Sequence, residues 1–408
     1  MIYLAYQATE DFMRPVRAFA TAALHSTNAS IARLNGSSAT PLLRHAAAGY
    51  EMISRMKLSH ESPSFDIDSV RIGECEVGVT EEETLVTPFC TLRHFRKDVD
   101  GGQPRVLLVA PLSGHFATLL RETVRTMLPE NDVYITDWHN ARDIPLEAGK
   151  FGFEDFVDHL IQFMELLRQG THMVAVCQPC PAALVATAVM AQNGSQAAPR
   201  SLTLMAGPVD CRFSPTEVND LATSHSIEWF RNFAIGRVPL RYAGGGRQVY
   251  PGFVQLASFL SMNMERHVKL HLELRDALAR GEHRKANTTK TFYDEYFSVL
   301  DLPGEFYLET VEWIFQDFRL PKGEMTYRGE KIDLRAISHT SLLTVEGERD
   351  DICGLGQTLA AQDLCTGIRP YRKSHHMQAG VGHFGVFSGR RWSAEVYPVV
   401  RNVILAAE

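Results

Sequence analysis

Much is missing from this chain of 408 residues, and each absence narrows what it can be. No uninterrupted apolar run approaches the ~20 residues of a membrane-spanning helix. There is no Lys/Arg run, and the formal net charge of −7 offers no basic face to nucleic acid. The start, MIYLAYQATEDFMRP, is interrupted by Glu10 and Asp11 and lacks the basic-then-apolar plan of a secretory signal. Cysteines number seven (75, 90, 177, 180, 211, 353 and 365), an odd and scattered set that argues against a disulfide scaffold. No second Cys pair or close His pair completes a zinc site, and no repeat or low-complexity tract occurs. The expectation is a globular protein of the reducing cytoplasm, with no metal or cofactor, no nucleic acid partner and no membrane span.

What is present is a change of texture along the chain. In residues 1–67 apolar positions recur at three and four spacing, through Phe12, Val16, Phe19 and Ala23 and again from His45 to Met56, which predicts an N-terminal helical extension closed by the turn SPSFDI. From 68 to 96, short β-branched pieces separated by Gly and acidic residues predict antiparallel strands. Then VLLVAP, VYITDW, MVAV, LTLMAG and LLTVEG follow, continuous apolar runs suited to parallel strands buried on both faces. Helical stretches alternate with the first four: HFATLLRETVRTML, FEDFVDHLIQFMELLRQG ending at Gly170, and PAALVATAVMAQNG ending at Gly194. Such alternation predicts a doubly wound α/β core, its first part at 68–211 and its second at 326–408. Between them, 212–325 lacks a buried strand pattern and is crowded with aromatics, which predicts a helical cap.

The chemistry concentrates at Cys177-Gln178-Pro179-Cys180. A redox C-x-x-C is a minor alternative, because the pair lies deep inside a long strand–helix series rather than near the start of a small domain. MVAV reads as a strand and PAALVATAVMAQ as a helix, so Cys177 occupies the strand-to-helix turn, where open α/β sheets place ligands. It is also the position of the G-x-S-x-G nucleophile elbow, here written Ala175 to Pro179 without its glycines. Ala175 is the smallest substitute for glycine, and Pro179 is tolerated in a first helical turn, where its missing N–H is not needed. Helix dipoles at that point favour a thiolate on Cys177, while Cys180 is expected one turn into the helix. The bland alternative is that both are small buried hydrophobes.

A thiol nucleophile needs a base, and the base an orienting acid. In the α/β-hydrolase order these follow the nucleophile as acid, then histidine. LLTVEGERDDI offers Asp350 just past a strand, with Asp351 as neighbour and Asp210, after LTLMAG, as a second competitor. QAGVGHFGVFSGRRW sets His383 among glycines that allow a tight loop. His375 and His376, in KSHHMQ, read instead as leading into a strand. For the oxyanion, one backbone donor is expected from Gln178 and the other from Leu112, with Ser113 as the alternative.

These residues sit in stretches that together resemble the intracellular polyhydroxyalkanoate (poly-3-hydroxybutyrate) depolymerases, cytoplasmic relatives of the polyhydroxyalkanoate synthases: APLSGHFATLLRETV, VYITDWHNARDIPLEAGKFGFEDFV, AVCQPCP, YDEYFSVLDLPGEFYLETV, LPKGEM, VEGERDDI and GVGHFGVFSGRRW. The resemblance spans most of the chain. It implies an α/β-hydrolase fold with a helical cap insertion and a Cys–His–Asp triad, mapped here to Cys177, His383 and Asp350. The synthases keep both elbow glycines, and their loss here places the chain on the depolymerase side. The implied substrate is the polyester on its granule, with water or coenzyme A, as a co-substrate, taking the acyl group. A synthase-like acyltransferase and a non-catalytic granule-associated protein are the alternatives.

Overall fold

In the computed structural model the described residues are 2–34, 39–99, 101–262 and 264–408; residues 35–38, inside the stretch read as helical, lie outside them, as do 1, 100 and 263. The extension is a pair of helices, α1 (Ile2–Arg33) and α2 (Thr40–Ser54). Three strands follow, β1 (Ser69–Ile72), β2 (Cys75–Val86) and β3 (Cys90–Lys97), then β4 (Arg105–Val109), β5 (Asp132–Trp138), β6 (Thr171–Val176) and β7 (Ser201–Met205). Between the later strands run α3 (Arg121–Met127), α4 (Phe153–Leu167) and α5 (Cys180–Gln192).

The insertion carries α6 (Glu217–Ser224), α7 (Ile227–Phe233), α8 (Gly252–Met262), α9 (Met264–Arg280), α10 (His283–Tyr296) and α11 (Gly304–Thr310). It is not purely helical. The strands β8 (Gly236–Arg237), β9 (Gln248–Tyr250) and β10 (Leu302–Pro303) pair into a small antiparallel sheet. Strands of two or three residues carry no readable alternation, which is why the sequence pattern missed them. A short hairpin, β11 (Thr326–Tyr327) and β12 (Glu330–Lys331), precedes β13 (Ser341–Gly347) and β14 (Lys373–Gln378).

Nine strands form the main sheet in the order β1-β2-β3-β5-β4-β6-β7-β13-β14. The first three are antiparallel, and the six from β5 to β14 run parallel, with register such as Val106 opposite His172 and Leu343 opposite Thr203. The continuous apolar runs are buried on both faces because helices cover both sides of the parallel part. Helix α5 is buried on nearly every side, which is why it is rich in Ala and Val rather than amphipathic. This mostly parallel sheet, with an antiparallel edge and a helical insertion before its last two strands, is an α/β-hydrolase fold. KSHHMQ is itself the last strand, not a lead-in; its polar residues suit an edge position. The helix expected at HFATLLRETVRTML opens with a 3-10 turn, Ala117–Leu120.

The extension and the cap are tied to the core by buried polar links. Tyr3 Oη donates to Asp301 Oδ2 at 2.7 Å, Asp301 Oδ1 accepts from Gly252 N at 2.9 Å, and Asp301 N donates to Asn140 Oδ1 at 2.9 Å. Burial pushes the Asp301 carboxyl up to about 6. Among the described residues no helix is long and apolar enough to cross a membrane.

Candidate active site

Strand β6 is buried at every position and stops at Val176; the next residue, Cys177, turns into the left-handed region with φ +67°. A non-glycine residue there costs roughly 1–2 kcal/mol, so the turn must be held by its surroundings. Cys177 N donates to Met205 O at 2.7 Å, and Cys177 O accepts from Cys180 N at 3.2 Å. The room that elbow glycines usually give is supplied from the neighbouring strand end instead. A Cβ on Gly207 would overlap Cys180 Sγ and lie 2.7 Å from Cys177 O. The glycine ending LTLMAG is the signal that sequence reasoning passed over.

Pro179 is the N-cap of α5 rather than a residue of its first turn, and Cys180 is its first residue rather than one turn into the helix. The Cys180 thiol is fully buried and donates to Ala175 O at 3.4 Å and Met205 O at 3.8 Å. Burial pushes that thiol well above the ordinary range. Of the two, Cys177 is the one that reaches the cavity.

Past β13, Asp350 is fixed through both carboxylate oxygens. Its Oδ1 accepts from Ile352 N at 2.9 Å and Cys353 N at 2.8 Å, and its Oδ2 accepts from His383 Nδ1 at 2.8 Å. The Asp350 side chain is 1% exposed and that of His383 4%. With Nδ1 on the carboxylate, Nε2 is the ring nitrogen left to face Cys177, which lines the same cavity. Burial alone would lower the imidazole pKa, but the Asp350 carboxylate, with Cys177 beside the ring, outweighs it and holds His383 well above its ordinary value. Thus Cys177, Asp350 and His383, from the ends of three strands, meet at one sheet edge.

The competitors are placed elsewhere. Asp210 is engaged in two bonds from the Arg212 guanidinium, at 2.8 and 2.7 Å, and Asp351 is exposed. His375 contacts Thr344 Oγ1 at 3.0 Å and His376 contacts Gln378 Oε1 at 2.9 Å, both on β14.

Leu112 N donates at 3.2 Å to Gln178 Oε1, so the expected second oxyanion donor meets a side-chain carbonyl. Gln178 Nε2 is buried with no hydrogen-bond partner. Ser113 lines the same cavity. The cap holds this loop from above: Leu300 N donates to Gly114 O at 3.0 Å, and His115 Nε2 lies 3.2 Å from Tyr296 O. Burial lowers the His115 imidazole to about 4, which leaves it neutral.

Cys177, Gln178 and His383 open on a cavity of about 390 Å³, within the range of small-molecule sites. Its far wall belongs to the cap, where Tyr250 and Tyr307 stack at 3.8 Å and Phe306 packs behind. Among the described residues no Lys or Arg lines it and Glu217 is its one carboxylate, so a neutral apolar ligand fits best. Phe384 and Phe387, which flank His383 in the cavity wall, were not singled out from sequence, although they stand in the same HFGVF stretch.

Residues 206–408 match the family model described as PHB de-polymerase C-terminus. The chain belongs to the PHB depolymerase family. It is accordingly a carboxylic ester hydrolase, and the family implies a polymeric substrate. No curated protein matches the chain. Solved structures similar to it include a lipase of Acinetobacter baumannii AYE described as putative (12% identity, 80% of this chain and 93% of that one, TM-score 0.41). A thermophilic esterase of Thermogutta terrifontis is another (14%, 83% and 97%, 0.42). A Bacillus megaterium epoxide hydrolase is a third (11%, 83% and 99%, 0.44).

Proposed function

We propose that this depolymerase is an intracellular poly(3-hydroxybutyrate) depolymerase of the cytoplasmic granule, cleaving ester bonds through a Cys177–His383–Asp350 triad and an acyl-thioester. The observation that carries the reading is the 2.8 Å bond from His383 Nδ1 to Asp350 Oδ2, with His383 turned to a left-handed Cys177 at the cavity floor.

The steps follow from that geometry. His383 Nε2 takes the Cys177 proton, and the imidazolium is stabilised by Asp350. The thiolate sulfur attacks a polyester carbonyl carbon, and the carbonyl oxygen becomes an oxyanion received by the N–H groups of Gln178 and Leu112. For Leu112 to serve, the Gln178 side chain yields its place. Collapse of the tetrahedral adduct breaks the C–O bond, His383 protonates the departing hydroxyl, and the acyl group stays on Cys177. Water, deprotonated by His383, then attacks the thioester carbonyl; the C–S bond breaks, a 3-hydroxybutyrate oligomer or monomer leaves, and His383 returns the proton to Cys177. Coenzyme A could replace water chemically, because one thioester exchanges for another at little free-energy change.

The test is acid quenching during turnover of amorphous poly(3-hydroxybutyrate), followed by peptide mass spectrometry. A 3-hydroxybutyryl group, or a short oligomer of it, is expected on the peptide carrying Cys177. An acyl group on another residue, or none while turnover proceeds, removes the thioester.

A further inference from the structure

The cavity does not end at His383. Phe384 lines it, is 37% exposed, and sets its ring 5.8 Å from the His383 ring. From there the rings continue outward over the cap. Phe384 contacts Tyr296 at 6.5 Å, and Tyr296 stacks on Phe292 at 5.4 Å with the planes 17° apart. Phe292, on α10, is 44% exposed. On α9, Met264, Val268 and Leu272 recur every four residues as a half-exposed apolar stripe. That stripe lies on the helix surface beside His267 and His271, whose rings meet Tyr296 and Tyr293.

We propose that the exposed rings of Phe384 and Phe292, held in line by the buried Tyr296 that touches both and flanked by the α9 stripe, form a rail that receives an aliphatic polyester chain at the granule surface and leads it to Cys177. Single exposed apolar side chains are ordinary, but these are joined by ring contact to a cavity that a neutral ligand fits. The occupant is a linear, uncharged chain longer than the cavity. Its methyl groups and ester planes pack on aromatic faces, and its polar atoms demand no counter-charge. A second exposed apolar face, with Phe12 and Phe19 on α1, has no such link to the cavity and supplies the control. The proposal rests on the ester-hydrolase reading of the Cys177 site.

The test uses the full chain and two substrates, amorphous poly(3-hydroxybutyrate) and a soluble butyrate ester. Phe292→Ser should lower the ratio of polymer to soluble-ester turnover by about fivefold, the scale of one truncated anchor, and Phe292→Trp should restore it. Binding is read separately by co-sedimentation of Cys177→Ala with amorphous polymer. Adding Phe292→Ser should weaken that binding by a similar factor, and adding Phe12→Ser should leave it unchanged. An unaltered ratio and unaltered binding overturn the rail, as does an equal loss from Phe12→Ser, which means general adhesion. Failure of the Cys177 reading looks different: Cys177→Ala would keep soluble-ester turnover.

Discussion

On the sheet side of the cavity, β4, β6, β7 and β13 are buried nearly end to end, and Asp350 is pinned by three hydrogen bonds to its carboxylate oxygens. On the cap side, α9 buries only His267, Leu274, Ala277 and Ala279, and the rings of α10 pack on one another and on the His267 and His271 rings of α9. Bond-breaking needs groups fixed to within fractions of an ångström, which dense packing provides. Receiving an irregular polymer needs apolar surface that adapts, which half-exposed helices provide. The two walls should therefore respond differently to substitution: losses on the sheet side in kcat for every ester, losses on the cap side mainly with polymer.

The largest effect expected is that of Cys177→Ala, which should lower turnover of both soluble ester and polymer by roughly 10⁴-fold or more. Cys180→Ala should stay within about threefold in kcat and cost ~1 kcal/mol of stability in urea unfolding, because its thiol only fills the core. Comparable kinetic losses from both would return the pair to a redox role and erase the contrast.

Next, Asp350→Asn should cost roughly 10³-fold in kcat, as the imidazole loses its orienting partner. Asp351→Asn should change kcat by less than about twofold, in keeping with ordinary exposed positions. A reversed ranking moves the acid by one residue. The same variant has a pH signature in stability. His383 is held above its ordinary 6.5, so its pairing stabilises the fold fully below pH 6.5 and is lost as pH rises through the raised folded value. The stability cost of Asp350→Asn, measured by urea unfolding across pH, should accordingly shrink toward alkaline pH. A cost that grows with pH contradicts the imidazolium–carboxylate pair.

A smaller and opposite effect is expected from Gln178→Ala. Its carbonyl no longer caps Leu112 N–H, so KM for a soluble ester should fall by about threefold, the worth of one neutral hydrogen bond that need not be broken. A collapse of kcat instead makes Gln178 a strut for residues 112–115. Finally, excess coenzyme A should divert part of the polymer product from free acid to acyl-coenzyme A, resolved by liquid chromatography. Cys177→Ser should lose that diversion more than it loses hydrolysis. Free acid alone from the wild type makes water the acceptor.

The sheet was legible because strands buried on both faces must be apolar throughout, and VLLVAP, MVAV and LLTVEG can be little else. Two of the three residues that meet at its edge were legible for a related reason, since elbow and acid each follow such a strand; the strand before His383, KSHHMQ, is polar, and the histidine was found from its glycines and its place in the chain order. What escaped depends on which side chains approach across the fold. Gly207 is an ordinary strand-end glycine until Cys180 is seen against it. The contact of Leu112 N–H with Gln178 joins positions 66 residues apart. The small sheet of β8, β9 and β10 has too few residues to carry a period, and the aromatics around it predict a cap without saying which rings face outward.

The left-handed backbone at Cys177 also bears on how far this protein can be made robust. A turn that glycine would adopt freely is occupied by the residue proposed as the nucleophile, so the fold is less stable than its scaffold allows, and on that proposal the difference serves activity. Cys177→Gly relieves roughly 1–2 kcal/mol of strain, offset in part by ~0.4–1 kcal/mol from the freer unfolded chain. Heat tolerance and turnover are thus opposed at a single residue, and selection for thermal survival alone would favour an inert protein.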